Sequence, residues 1–126
     1  MYESLIQETI IIQHKNFSKD SKINHIIICG DRNVRLGLGI TIFSICKNSS
    51  SSCLFHIFFN GNFLEEDKLR LKKLTSIYDV KFIIYKFSPN LFSGLNDATS
   101  TINSYITKTA YYRLLVPYVL YRINIR

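Results

Sequence analysis

The segment Gly30-Asp31-Arg32-Asn33 contains side chains that could recognise a nucleoside. A carboxylate such as Asp31 accepts hydrogen bonds from a base N–H or a ribose hydroxyl group, and the amide of Asn33 both donates and accepts them. Gly30 lets the backbone turn or approach a ligand closely. Asp and Asn in a loop also commonly bond to the nearby backbone, and the residues alone favour this simpler interpretation.

Other patterns with well-defined chemistry are missing from the sequence. The glycines do not fit G-x-G-x-x-G, and G-x-x-x-x-G-K-[ST] is absent, so neither a dinucleotide fingerprint nor a P-loop is predicted. No Ser-His-Asp or Cys-His arrangement is suggested by spacing. The three cysteines are irregularly spaced and form no ligand pattern with the three histidines, which indicates buried reduced thiols rather than a zinc site.

The net charge of +7 favours an acidic partner: a nucleic acid, an anionic membrane surface or a phosphorylated ligand. The basic residues Lys68, Arg70, Lys72 and Lys73 could form a nucleic-acid patch. They follow three acids at 65–67, an order that suits the dipole of a helix. A solvated helix face is therefore the favoured explanation, and no nucleic acid is expected as a partner.

Alternating strand and helix patterns must position these residues. Apolar runs predict strands at 24–29, 54–59 and 80–87, and apolar residues at helical spacing predict helices at 36–47, 65–78 and 105–121. This order predicts an α/β fold, with a mostly parallel sheet and helices on both faces. Residues 1–23 are expected to form an N-terminal leader before a domain at 24–126.

The segment 30–35 is predicted to be a loop that follows the first of these strands. In open α/β sheets, ligands bind beyond the carboxyl ends of the strands. The position of Gly30-Asp31-Arg32-Asn33 therefore makes it a plausible ligand loop, which its composition alone does not.

Four segments carry a recognisable pattern in their order and spacing: 26–33, 37–44, 55–59 and 109–114. Together, over roughly 24–121, they resemble glycosyltransferase family 8, with the bacterial lipopolysaccharide glucosyl- and galactosyltransferases as the nearest type. The resemblance implies a Rossmann-like GT-A fold. It also implies transfer of a hexose from a UDP-sugar to a lipopolysaccharide core, with retention of configuration.

The resemblance assigns roles to particular residues. Asp31 and Asn33 would contact the uridine, and the backbone around Cys29 and Gly30 would line the base. Arg113 would reach the donor sugar or its diphosphate, where a planar cation suits anionic oxygens, and Thr107 would assist. Val34 stands where many relatives have Tyr or Phe, so the family's aromatic support of the base is not expected here.

A second departure concerns the metal. Relatives continue into a strand with Asp-x-Asp, whose carboxylates hold Mn²⁺ or Mg²⁺ against the diphosphate. This sequence contains no Asp-x-Asp and no acid after Asp97. The expectation is a truncated, nucleotide-binding half of a GT-A enzyme with little or no activity. The alternative is a non-catalytic module that binds UDP or depends on a partner chain.

The expected truncation predicts the partners of the chain, and its N-terminal sequence predicts its location. A truncated sheet leaves unpaired backbone or apolar surface, so a homodimer or a tendency to aggregate is expected. The sequence shows no secretory signal. A cytoplasmic protein, with peripheral attachment to the inner membrane as a further option, is therefore expected.

Overall fold

The computed structural model describes residues 6–17, 22–31, 35–87 and 116–117. These residues include the strands β1 (Ile6–Gln13), β2 (Asn24–Asp31), β3 (Cys53–Asn60) and β4 (Val80–Phe87), and the helices α1 (Arg35–Asn48) and α2 (Glu65–Ile77). The predicted alternation of strand and helix between residues 24 and 87 is confirmed. Neither of these helices is long and apolar enough to cross a membrane.

The described strands form one mixed sheet, in the order β1-β4-β3-β2. β2, β3 and β4 are parallel, and β1 pairs with β4 in the antiparallel direction. The chain advances in one direction from β2 to β4, and right-handed crossovers then place successive helices on the same face of a sheet. Residues of α1 and α2 accordingly share one core with alternate residues of the strands.

The core lies on both faces of the central strand β3. Phe55, Ile57 and Phe59 point toward the helices and are at most 1% exposed, as is Ile42 of α1. The intervening residue Phe58 lies in a second cluster on the opposite face. Such burial on both faces explains why β3 has a nearly continuous apolar sequence.

The second face of the sheet is covered in part by Val116, which packs against the cluster formed by Phe58, Tyr85 and Phe87. Val116 belongs to the helix predicted at 105–121, and it is helical. The remainder of that predicted helix, apart from Pro117, lies outside the described residues. The described helices α1 and α2 cover the other face.

The segment expected to be a leader, 1–23, contains strand β1, an element that was not among the predicted strands. Ile10 lies opposite Ile84 and Ile12 opposite Phe82 in the pairing with β4. Burial alternates from Thr9 to Gln13, with Ile12 buried and Ile11 57% exposed. The residue types do not alternate, because isoleucine occupies the exposed position as well as the inward ones. The position of the strand depends on pairing with a strand about 70 residues away, which a local pattern does not reveal.

Strand β2 is longer than predicted, and this corrects the predicted loop at its end. Gly30 and Asp31 belong to the strand, in register with Phe59 and Asn60 of β3. Glycine is a weak strand former, but the parallel ladder with β3 extends the pairing through both residues. The connection to α1 therefore begins after Asp31 rather than at Gly30.

The two helices follow the predicted spacing closely. Leu38, Ile42 and Cys46 of α1 are buried, and the other side of the same helix exposes Leu36, Ile40 and Phe43. In α2, Leu71 is buried and Leu74 packs against the core. The buried residues of each helix thus recur at helical spacing, although apolar residues also occupy the exposed side of α1.

Candidate functional site

The candidate site lies at the carboxyl ends of the parallel strands. Asp31 is the last residue of β2, and Asn60, the last residue of β3, is its partner in the register. Gly30 is buried, whereas Cys29 and Asp31 are partly exposed. The predicted residues Cys29, Gly30 and Asp31 are therefore consecutive strand residues at the edge where open α/β sheets bind ligands.

The alternation of strand side chains decides which face each residue occupies. Ile26 and Ile28 pack in the core beneath the helices, so Cys29 and Asp31, which alternate with them, lie toward the opposite face. Cys29 packs against the second cluster and is in register with Phe58. The aromatic cluster of Phe58, Tyr85 and Phe87 thus lies on the same face of the sheet as Asp31, the last residue of β2.

The start of α1 is fixed by ion pairs with α2. Arg35 donates from Nε to Oδ2 of Asp67 at 2.9 Å, and its Nη2 pairs with Glu66. Hydrogen bonds to Asp67 and then to Glu66 raise the pKa of Arg35 above its ordinary value. The acids in the first turn of α2 therefore bind a neighbouring helix, in addition to suiting the helix dipole.

Asp31 and Arg35 both belong to regular structure, so both ends of the segment 32–34 are anchored. Asn33 itself lies outside the described residues, and so do Thr107 and Arg113. The roles given to these three side chains stay predictions.

A cavity of about 170 Å³ lies beside the turn between β3 and α2. Gly61 has a φ of 102°, a conformation that favours glycine, and Nζ of Lys86 donates to Oδ1 of Asn62 at 2.7 Å. Lys86 alternates with Tyr85 and Phe87 and lies on the helix side of the sheet. The cavity and Asp31 are therefore on different faces and do not form one site.

The described residues do not fit a metal site. They contain no group of three or more His, Cys, Asp or Glu side chains that could hold an ion. The acids at 65–67 are engaged with Arg35, Lys68 and Arg70. No catalytic step through Mn²⁺ or Mg²⁺ can be derived from this part of the chain.

Three polar side chains that are far apart in the sequence meet on the second face of the sheet. Nδ1 of His25 is 3.2 Å from Nε2 of His56, and Nδ1 of His56 is 3.1 Å from Oη of Tyr85. The sequence separations are 31 and 29 residues. Only the strand register, in which His25 is diagonal to His56, could have revealed the cluster.

Burial determines the protonation states in this cluster. His56 is fully buried, and burial, followed by the positive charges of His25 and Lys81, lowers the pKa of His56 to about 4. Burial also raises the pKa of Tyr85 to about 12. Both side chains are therefore neutral at pH 7 and can form a hydrogen-bonded pair without an unpaired buried charge.

A mostly parallel sheet with a polar strand end at its carboxyl edge defines the class of Rossmann-like α/β proteins. The family comparison narrows this class: the profile described as "Glycosyl transferase family 8" matches residues 25–124. The chain belongs to this family, and its mixed sheet agrees with a GT-A fold. Comparisons with curated proteins and with solved structures gave no significant match.

Proposed function

We propose that this glycosyltransferase-family chain binds the nucleoside diphosphate of a UDP-hexose at the carboxyl end of β2. The observation that carries the proposal is the position of Asp31, which ends a parallel strand at the ligand-binding edge of the sheet and falls within the family match. In this proposal the carboxylate of Asp31 accepts hydrogen bonds from the base or the ribose. The backbone at Cys29 and Gly30 lines the base.

The strand pairing at Gly30 supports this role for the strand end. Gly30 is in register with Phe59 of β3, and the parallel pairing continues to Asp31 and Asn60. The backbone that would line the base is thus held in place before binding, which limits the entropy lost on binding. We extend the proposal to Asn33 as a second uridine contact, and to Arg113 and Thr107 near the sugar diphosphate.

The reaction proposed for the family member is retaining transfer of a hexose to a lipopolysaccharide core. Departure of UDP requires charge stabilisation, which a divalent metal supplies when bound. The 126 residues include no Asp-x-Asp, and the described segments contain no metal-binding cluster. We propose that these residues bind the donor nucleotide but do not themselves complete the metal-dependent transfer.

Replacement of Asp31 with Ala should weaken UDP binding roughly tenfold to a hundredfold. Hydrogen bonds to a charged group contribute about 1.5–3 kcal/mol, and about 1.4 kcal/mol corresponds to a tenfold change in Kd. Isothermal titration calorimetry with UDP, with and without Mn²⁺, measures the change. We expect the binding of UDP by the unaltered chain to persist without the metal.

Asp79→Asn is the matched control, because Asp79 precedes β4 at the opposite edge of the sheet and accepts a hydrogen bond from Ser52. This variant should bind UDP as the unaltered chain does. The proposal is wrong if the folded chain does not bind UDP at millimolar concentration, or if Asp31→Ala binds UDP with unchanged affinity.

Transfer of labelled glucose or galactose by a polypeptide of these 126 residues should stay near background, even with Mn²⁺ and a lipopolysaccharide core acceptor. The physical reason is the absence of an Asp-x-Asp pair that would hold a cation against the leaving diphosphate. Scintillation counting of the acceptor measures the transfer. Robust metal-dependent transfer that is lost in Asp31→Ala would contradict the proposed inactivity while supporting the proposed nucleotide site.

A further inference from the structure

The outer side of helix α1 is apolar, and so is its buried side. Leu36, Ile40 and Phe43 recur at intervals of four and three residues, and Lys47 follows four residues later. Residues at this spacing form one stripe along a helix. The three apolar side chains are 75%, 59% and 46% exposed, respectively. A surface helix normally carries polar residues on the side away from the core, so this exposed apolar stripe indicates a surface that contacts a partner.

Helix α2 continues this surface. Leu71 of α2 is buried, whereas Leu69, which is 56% exposed, and Lys73 lie on the opposite side of the helix. The two helices pack side by side on one face of the sheet, where Arg35 of α1 pairs with Asp67 of α2. Their outward sides therefore form one layer. We define the outer helix surface as Leu36, Ile40, Phe43 and Lys47 of α1 together with Leu69 and Lys73 of α2.

The charge that remains on the two helices is positive. α1 and α2 contain six basic residues and three acids, which gives them a net charge of +3. Each of the three acids pairs with a basic side chain of the same two helices. Lys47, Lys72 and Lys73 have no acidic partner in the described part of the chain. The outer helix surface thus combines exposed apolar side chains with lysines whose charge is not compensated.

This combination fits an anionic lipid bilayer better than it fits other acidic partners. Apolar side chains enter the boundary between headgroups and acyl chains, and the lysines beside them meet the anionic headgroups. A nucleic acid would leave the apolar stripe unmatched, because protein interfaces with nucleic acids are polar and strongly charged. A second copy of this chain would bring surfaces of like charge together, which opposes association.

We propose that the outer helix surface attaches the chain peripherally to an anionic membrane. In this arrangement Leu36, Ile40 and Phe43 insert at the level of the headgroups, and Lys47 and Lys73 pair with lipid phosphates. Both helices are already folded and packed on the sheet, so binding requires little further ordering of the chain.

The proposed membrane contact is separate from the proposed nucleotide site. Asp31 lies toward the face of the sheet opposite the helices, so a membrane bound to the outer helix surface would not cover its carboxylate. The inference therefore does not depend on which ligand the carboxyl edge of the sheet binds.

Sedimentation with lipid vesicles in the absence of UDP tests the proposal. We expect the chain to bind vesicles made of equal parts of phosphatidylcholine and phosphatidylglycerol roughly tenfold or more tightly than vesicles of phosphatidylcholine alone. Added salt should weaken the binding, because ions screen the attraction between lysines and headgroups. Equal binding to both kinds of vesicle, or no binding to either, would overturn the proposal and would leave the calorimetric test of UDP binding unaffected.

Two double variants separate the apolar contribution from the charged one. Ile40→Ser with Phe43→Ser removes apolar side chains, and Lys47→Gln with Lys73→Gln removes positive charges. Each double variant should weaken binding to the anionic vesicles roughly tenfold or more. All four positions are exposed, so the free energy of unfolding should change little. Ile11→Ser is the matched control, because Ile11 is a 57% exposed isoleucine of β1 outside this surface, and this variant should bind vesicles as the unaltered chain does.

Sedimentation velocity without lipid distinguishes membrane binding from self-association. A dimer that becomes a monomer in the Ile40→Ser, Phe43→Ser variant would show that a second copy covers the surface, and it would overturn the proposal. Unchanged vesicle binding by either double variant, with folding verified by circular dichroism, would also overturn it. Salt-sensitive binding to duplex DNA that exceeds the binding to anionic vesicles would have the same consequence.

Discussion

Acidification from pH 7 to pH 4 should lower the free energy of unfolding by roughly 3 kcal/mol through His56 alone. Burial, together with the nearby positive charges of His25 and Lys81, lowers the pKa of the folded-state imidazole from 6.5 to about 4. Between these two values the unfolded chain binds more protons than the folded chain. The contribution of His56 to stability is therefore fully present above pH 6.5, and it is lost as the pH falls toward 4.

Urea denaturation at several pH values between 7.5 and 4 measures this dependence, and His56→Gln isolates it from the carboxylates. Glutamine does not titrate, so the variant should show a shallower loss of stability over the same range, whatever its stability at pH 7. His14→Gln is the matched control and should keep the steep dependence. Parallel curves for His56→Gln and the unaltered chain would show that His56 is not the responsible group.

Phe55→Ala should destabilise the fold by about 3–5 kcal/mol, which is the range for loss of a buried phenylalanine. Phe55 is 0% exposed in the central strand β3, and its ring stacks on Phe82 of β4 at a centroid distance of 5.1 Å. Truncation would remove buried apolar surface and leave a cavity between two strands that must stay in register. Such a loss is a large part of the free energy of unfolding of a small domain, which is typically about 5–15 kcal/mol.

Phe43→Ala is the control for this core prediction. Phe43 lies on the outer side of α1 and is 46% exposed, so its truncation should change the free energy of unfolding by less than about 1 kcal/mol. Phe55→Leu should fall between the two variants, because it leaves a smaller cavity. The core assignment is contradicted if Phe55→Ala and Phe43→Ala unfold at the same urea concentration.

Much of the fold could be predicted because its elements are encoded by local spacing. Leu38, Ile42 and Cys46 recur at helical intervals, and they are the buried residues of α1. The apolar run in β4 matched the observed strand Val80–Phe87 at both ends. The position of Asp31 after an apolar run was enough to indicate the carboxyl end of a strand, although not that the strand includes it.

The elements and contacts that could not be predicted depend on pairing between distant segments. β1 has a weak pattern of its own and is held at the edge of the sheet by β4. Arg35 and Asp67 are 32 residues apart, and their ion pair forms because two crossovers of the same hand bring α1 and α2 together. No spacing rule within either helix contains this information.

The sequence by itself determined the α/β alternation and the family to which the chain belongs. These properties depend on the order and periodicity of residue types, which exist before the chain folds. Only the tertiary structure decided that Gly30 and Asp31 extend β2 and that His25, His56 and Tyr85 meet. The reason is that strand register is a relation between segments, and a shift of one residue would turn each of these side chains to the opposite face.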